Sequence, residues 1–281
     1  MSKVRFTLGQ IHRLIELGAE PAEIDRDFES EAKRNEEFNR IAGDLARKNL
    51  KDIKDFLERK KKPLVRLVEE KLRETAIRLG FSEVVTPIII PKSFIKRMGI
   101  NEEDPLWQQV MFIDDRRALR PMLAPNLYVV MAKLSNIVKP VKIFEIGPCF
   151  RRETDGRYHL EEFTMFNMVE LAPEGDPKTR LLDYIDAIMK EVGLNYVLSV
   201  EPSKVYGETI DVVVDGIEVA SAAIGPKPMD ANWGVHEPWI GVGFGVERLA
   251  MLIGGYRSIA RCARSLTYLN GSTLSVIKLK R

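Results

Sequence analysis

Most of the residue patterns that announce a particular chemistry are missing from this chain. Two cysteines, Cys149 and Cys262, in 281 residues give neither a disulfide framework nor the spacing of a zinc site. Three histidines, His12, His159 and His236, are dispersed and build no metal cluster. There is no Gly-Lys-Ser/Thr phosphate loop, no apolar run long enough to span a bilayer and no leader pattern at the start, so the expected compartment is the cytosol. No internal repeat or low-complexity linker breaks the chain. An excess of one charge is also absent: 43 Lys and Arg stand against 41 Asp and Glu, a net +2. That excludes a globally basic nucleic-acid binder but leaves a local basic patch open. No Ser or Cys nucleophile stands beside a base. What the composition does offer is 45% hydrophobic residues, enough for one large domain or a core with a small appendage.

The most informative stretch runs from Val141 to Glu170. Its first part alternates apolar and polar side chains, its last part from Leu160 is again dense in β-formers, and Thr154-Asp155-Gly156-Arg157 between them is turn chemistry. Two long antiparallel strands are predicted. Arg151, Arg152, Glu153, Glu161 and Glu162 are unusual there. An Arg on a rigid strand beside a loop makes a bidentate phosphate clamp. On charge pattern alone, an edge hairpin with cross-strand ion pairs is the plainer reading. Near the C-terminus, Gly241 to Leu252 reads as a glycine-rich turn leading into an amphipathic helix, with Glu247-Arg248 in its first turns. A dinucleotide loop is disfavoured, because Pro238 interrupts any strand running into it.

Elsewhere Thr7-Leu8-Gly9-Gln10 precedes an apolar spacing at Ile11, Leu14, Ile15 and Leu17 that ends at Gly18 and predicts a short helix; a charged and largely solvated helix over 23–57 and a boundary at Pro63 follow. Arg47, Lys48, Lys51, Lys54 and Arg59 to Lys62 form a basic run that reads equally as a solvated face or a phosphate contact. Leu64, Leu67, Val68, Leu72, Thr75, Ala76 and Leu79 mark a helix face ended by Gly80. A strand follows over 83–90 with Pro87 in it, which suits an edge or an interface. Then come a short helix over 91–98, strands over 110–114 and 118–122, a helix starting at Pro125, and a helix over 176–192 ended by Gly193. A strand over 196–200 and a hairpin over 209–224 on an Asp215-Gly216 type I′ turn complete the pattern.

Three of these segments together resemble motifs of the class II aminoacyl-tRNA synthetases, in that family's order. Pro87 in EVVTPIII resembles motif 1. The strand ending FRRE, its loop and the strand with Phe163 resemble motif 2. GVGFGVERL resembles motif 3. The resemblance spans about residues 60 to 271. Within the class, ALRPMLAPNLY (118–128), KIFEIGPCFRRE (142–153), HLEEFTMFN (159–167), VYGETIDV (205–212), PWIGVGFGVERL (238–249) and YLNG (268–271) are similar to the pyrrolysyl-tRNA synthetase family. The chain resembles its stand-alone catalytic-domain type, which lacks a separate amino-terminal tRNA-binding domain.

The resemblance implies an α+β fold: an antiparallel sheet flanked by helices over 63–281, with a small helical, tRNA-contacting region over 1–62. It implies ATP and Mg²⁺, a cognate tRNA, an amino-acid substrate, and a homodimer joined through the motif 1 helix and strand, with no membrane. Carried over by motif, Arg151 holds the α-phosphate and the substrate carboxylate, and Arg248 holds the γ-phosphate end. Glu153, His159, Leu160 and Phe163 seat adenine and the motif 2 loop, and Glu218 and Ser221 hold the metal with the ATP phosphates. Ala124, Leu127, Tyr128 and Met131 form one wall of the amino-acid pocket. Asn167 faces a substrate amide carbonyl, Val169 and Ala223 shape the side wall, Trp239 is the base, and Tyr206 lies on a closing loop. The tail beyond Leu274, with Lys278, Lys280 and Arg281, is a further tRNA contact or a loose end. Read without the family, several of these are ordinary: the 127–134 stripe is core, Glu218 is a surface strand residue and Tyr206 is an exposed loop tyrosine. Two other functions stay open at this stage, a class II synthetase for a phenylalanine-like amino acid and a non-catalytic tRNA-binding paralogue.

Overall fold

The computed structural model describes residues 4–152 and 156–277. The chain forms two compact units, one of residues 1–63 with 260–281 and one of residues 64–259.

The first unit begins with α1 (Leu8–Leu17), opened by a capping box in which Thr7 and Gln10 satisfy each other's backbone N–H groups and closed by Gly18 at φ 96°. The expected single helix over 23–57 is broken. A one-turn α2 (Pro21–Ile24) is followed by an isolated pairing of Val4 with Phe28, and α3 (Glu31–Glu58) starts only at Ser30, whose side chain accepts from Lys33 N. The side-chain cap supplies an acceptor that continuing the helix would not. Only Ile41, Asn49 and Ile53 of α3 are buried. Its exposed faces are laced by pairs such as Arg40 with Glu37 and Asp44, Lys54 with Glu58, and Arg59 with Asp55. Each is worth a few tenths of a kcal/mol. Much of the basic run is therefore already committed within the helix.

In the second unit, α4 (Leu64–Arg78) buries Val68, Leu72, Thr75 and Ala76 and ends at Gly80, φ 85°. The expected strand over 83–90 divides. β1 (Ser82–Glu83) lies parallel to the first long strand, and β2 (Ile89–Pro91) pairs elsewhere. Pro87 cannot donate to a ladder, and here Pro87 O instead accepts from Asn126 while Thr86 N donates to Glu145. After α5 (Lys92–Arg97) comes an unanticipated short helix, α6 (Pro105–Gln109). The hairpin expected over 110–122 shrinks to β3 (Arg117–Leu119) on β2 and single pairings of Val110 with Arg151 and Phe112 with Ala118. Asp114 accepts from the N–H groups of Arg116 and Arg117, a side-chain turn that replaces ladder bonds. Then follow α7 (Ala124–Leu134), β4 (Val141–Phe150), β5 (Glu162–Leu171), α8 (Pro177–Val192), β6 (Val197–Ser203), β7 (Gly207–Val214), β8 (Ile217–Gly225), β9 (Trp239–Gly245) and α9 (Val246–Ile253).

These strands form one seven-stranded sheet in the order β1-β4-β5-β9-β8-β7-β6, antiparallel except for β1. Helices α4, α8 and α9 pack together on one side, over Phe144, Phe166 and Phe244, whose rings follow one another at 5.8 and 6.0 Å. α7 covers the other side at β4 and β5. Gly241 to Gly245 are not a turn, as the sequence suggested, but β9 itself, the strand between β5 and β8. With a two-residue period, Gly241, Gly243 and Gly245 share one face and Val242 and Phe244 the other. The glycine spacing is a strand with one face left bare.

The tail returns to the first unit as β10 (Tyr268–Leu269) and β11 (Ser272–Thr273). The sequence division placed it with the catalytic body, whereas Thr273 N donates to the buried Asn49 of α3 at 2.7 Å.

Candidate active site

The bare face of β9 is the floor of a cavity of about 540 Å³. Strand register lines up a polar row across this face of the sheet. Glu145 on β4 lies opposite Asn167 on β5, Asn167 opposite Gly243, Gly243 opposite Ser221 on β8, and Ser221 opposite Asp211 on β7. The next row on that face is Ile143, Val169, Gly241 and Ala223, and the row after it ends at Trp239 and Gly225. A Cβ on Gly243 would lie 2.8 Å from Asn167 Nδ2, and one on Gly225 would lie 1.9 Å from Trp239 Nε1. Those two positions are glycine because the side chains opposite occupy the space.

Every candidate residue named above lines this cavity, except Glu153, which lies outside the described residues. At one end, Arg151 follows β4. Its Nε donates to Pro121 O at 2.9 Å, its backbone N–H to Glu161 O at 3.0 Å, and its guanidinium lies 5.2 Å from the Phe163 ring centre. His159 and Leu160 line the same end. Arg248, in the first turn of α9, donates from one terminal nitrogen to Glu218 O at 2.8 Å and lies 3.5 Å from its carboxylate. The neighbouring Glu247 is structural: buried, it accepts from Thr164 N with both oxygens and ties α9 to β5.

Glu218 owes its placement to a β-bulge. The register of β7 on β8 shifts between Val212 and Val213, so Val213 lies opposite Glu218 while Val212 lies opposite Ala220. The extra residue turns Glu218 onto the face that carries Ser221. The side chain is half exposed, and its partial desolvation raises the carboxyl from its ordinary value, with Arg248 opposing and Asp211 adding to the rise. Ser221 donates to Asp211 at 2.7 Å, and its oxygen keeps its lone pairs as acceptors. Cys149 is fully buried with its thiol pushed up to about 12 by burial, which removes it as a nucleophile.

At the other end, Ala124, Leu127, Tyr128 and Met131 come from α7, Tyr206 from the β6–β7 turn, and Val169, Ala223 and Trp239 from the sheet. Tyr206 and Tyr128 meet the Trp239 ring at 5.9 and 5.8 Å. Asn167 Oδ1 is buried with no hydrogen-bond partner. An orphaned amide oxygen in an apolar cavity costs about 1–3 kcal/mol unless a ligand satisfies the group.

Sequence reasoning missed Asp211, because counting back from the Asp215-Gly216 turn puts it opposite Ala220; only the bulge moves it to Ser221. It also missed the buried network of Arg120, Glu145, Thr86 and Asn126 beneath the cavity. Asp230 had no signal at all.

The chain matches the family described as tRNA synthetases class II core domain (F) over residues 48–270. A pyrrolysyl-tRNA synthetase from Desulfitobacterium hafniense is similar in structure with a TM-score of 0.90 and 39% identity, covering 96% of this chain and 98% of that one; a second structure from the same organism gives 0.89. Among curated proteins, the histidine--tRNA ligase of Archaeoglobus fulgidus is 28% identical over 155 residues, 53% of this chain and 36% of that protein. The phenylalanine--tRNA ligase beta subunit of Borreliella burgdorferi is 26% identical over 172 residues, 59% of this chain and 30% of that protein. The chain thus spans about a third of the length of these curated relatives. Coverage and identity against the solved structures are far higher, and the chain belongs to the class II aminoacyl-tRNA synthetases, in the pyrrolysyl-tRNA synthetase family.

Proposed function

We propose that the protein activates pyrrolysine, or a lysine bearing a bulky Nε-acyl group, with ATP and transfers it to the 3′ end of a cognate tRNA. The observation that carries this reading is Asn167: an amide whose oxygen is buried and unpartnered, in a cavity whose rows of Val169, Gly241 and Ala223 leave room for a large ring. An amide-capped lysine stem fits both features, since each buried methylene contributes ~0.8 kcal/mol and Asn167 can pair with the amide through its own donor and acceptor. A phenylalanine-like substrate gives Asn167 nothing to bond.

The substrate carboxylate attacks the α-phosphorus and pyrophosphate leaves. Arg151 holds the α-phosphate and the carboxylate, Arg248 the γ-phosphate end, and His159, Leu160 and Phe163 the adenine, with Glu153 assigned to the same loop. Catalysis is positioning and stabilisation of developing phosphate charge. The class II family uses ATP with a divalent metal. Glu218 and Ser221 offer only oxygen donors, which suits Mg²⁺, an ion that binds through few carboxylates and takes its remaining ligands from phosphates and water. When bound, Mg²⁺ neutralises phosphate charge. Because the Glu218 carboxyl is raised, it gains its proton at a higher pH than an ordinary carboxylate. Magnesium-dependent ATP binding should therefore weaken as pH falls through that range, and Glu218→Gln should flatten the profile; titration calorimetry from pH 5 to 8 reads both. The same sign means that ionising Glu218 costs fold stability as pH rises above the unfolded-state value.

The basic run of α3 and the tail (its last residues, Lys278, Lys280 and Arg281, lie outside the described residues) contact tRNA. The working form is a homodimer. Val85 is 90% exposed, and Leu67, Ile77, Ile88 and Ile89 are exposed with it on α4 and the segment after β1, the motif 1 region.

The test is ATP–pyrophosphate exchange across the standard amino acids and Nε-acyl-lysines. Exchange with the lysine derivatives alone is expected, and Asn167→Ala should lower it about tenfold or more, the loss of one buried hydrogen-bonded pair. Exchange with a standard amino acid would discard the substrate while keeping the enzyme.

A further inference from the structure

Asp230 is a deeply buried carboxylate beside the cavity that no step above uses. It lies in the 3-10 turn Pro228–Trp233, at 1% exposure. One carboxylate oxygen accepts from the Tyr128 hydroxyl at 2.7 Å. The other accepts from Trp239 Nε1 at 2.6 Å and from Lys227 N at 2.6 Å. Tyr128 comes from α7 and Trp239 from β9, more than a hundred residues apart in sequence. Both line the amino-acid end. Trp239 can only donate, so its partner must be an acceptor. Two oxygens on one short side chain hold both rings at once. Trp233, from the same turn, stacks on the outer face of Tyr128 at 5.4 Å and 15°, and the Arg97 guanidinium lies 4.0 Å over Trp233.

We propose that Asp230 is a positioning residue for amino-acid specificity: its carboxylate clamps the Tyr128 and Trp239 rings and fixes the width of the cavity's amino-acid end. This rests on the aminoacylation reading above. The consequence is selective. The clamp touches neither Arg151, Glu218 nor Arg248, so losing it alters the amino-acid end and leaves the ATP end alone. An asparagine can preserve it, with Oδ1 toward Trp239 and Lys227 and Nδ2 donating to a turned Tyr128 hydroxyl. An alanine cannot, and it orphans two buried donors.

The test compares wild type, Asp230→Ala and Asp230→Asn by ATP–pyrophosphate exchange, with KM measured separately for Nε-tert-butoxycarbonyl-lysine and for ATP. Expected for Asp230→Ala is a rise of tenfold or more in the amino-acid KM with the ATP KM within twofold, and for Asp230→Asn recovery to within threefold of wild type. Equal rises in both KM values, or a fall in kcat alone, would overturn the clamp in favour of a merely structural role. If Asp230→Ala does not fold, Tyr128→Phe decides, since it deletes only the clamped hydroxyl. An amino-acid KM raised about fivefold supports the proposal, and an unchanged one sinks it. If wild type rejects the lysine derivative but exchanges with another amino acid, the substrate reading fails, and the same KM comparison with that amino acid still tests Asp230. If wild type exchanges with none, both fall.

Discussion

Replacing Arg151 by alanine should lower ATP–pyrophosphate exchange by about 10²–10³-fold, the cost of deleting one preorganised donor aimed at developing charge. The fold should survive. Arg151 sits just past the end of β4, and its side-chain contacts include a hydrogen bond to Pro121 O and the face of the Phe163 ring. The hydrogen bond is worth about 1 kcal/mol net. Its backbone partner, Glu161 O, is retained whatever the side chain. The Nε–Pro121 bond and the Phe163 ring set the plane of the guanidinium, so the fork enters the cavity already oriented. Lysine keeps the charge but not that fork, and Arg151→Lys should recover little of the lost rate. Exchange assays and thermal denaturation of the same preparations separate the two effects. Full exchange in a folded Arg151→Ala protein would refute the role.

Where local chemistry decides structure, the sequence was a good guide. Thr7 with Gln10, Gly80, Pro125, Gly193 and Asp215-Gly216 each specify a backbone conformation on their own, and the elements they bound are where those residues put them. The β4–β5 hairpin was legible because alternation over ten residues has no competing period. The errors fall where a distant group decides. Gly241 to Gly245 resembles a turn until Asn167 and Trp239 are known to occupy the space opposite the glycines of β9 and β8. The strand expected over 83–90 splits because Glu145 and Asn126 take the polar groups of Thr86 and Pro87. Asp211 meets Ser221 only through a one-residue bulge that no local pattern announces. The tail joins the first unit through Asn49, a residue with no signal in a charged helix. In the site, the named residues were found through a resemblance of motifs; the chemistry of Asn167 or Glu218 alone would have left both as ordinary strand positions.

Arg120 carries the largest expected stability effect. It is 2% exposed, as is its partner Glu145 at 2.7 Å. Its Nε donates to Pro148 O at 2.8 Å, and the terminal nitrogen that meets Glu145 also reaches Thr86 O at 3.2 Å and Thr86 Oγ1 at 3.0 Å. Thr86 Oγ1 in turn donates to Glu145 at 2.7 Å and accepts from Asn126 at 2.7 Å. A Cβ on Gly147 would lie 2.1 Å from the guanidinium, so β4 itself is shaped around it. Arg120→Met removes the cation and leaves Glu145 as a buried charge with only neutral donors. Breaking such a pair costs ~3–5 kcal/mol, which for a unit of this size lowers Tm by on the order of 10 °C. The double variant Arg120→Met/Glu145→Met removes both desolvated charges and should regain most of that loss, because the pair as a whole is close to neutral against apolar packing. The double variant will not regain activity in step. Asn126 is held by Thr86 Oγ1 and Pro87 O in the first turn of α7, the wall that carries Leu127 and Tyr128, and Pro121, which anchors Arg151, directly follows Arg120. With the pair gone, Thr86 loses both charged partners, so the residue that tethers Asn126 is itself no longer fixed. A double variant that recovers Tm together with full exchange would show instead that packing alone holds α7 in place.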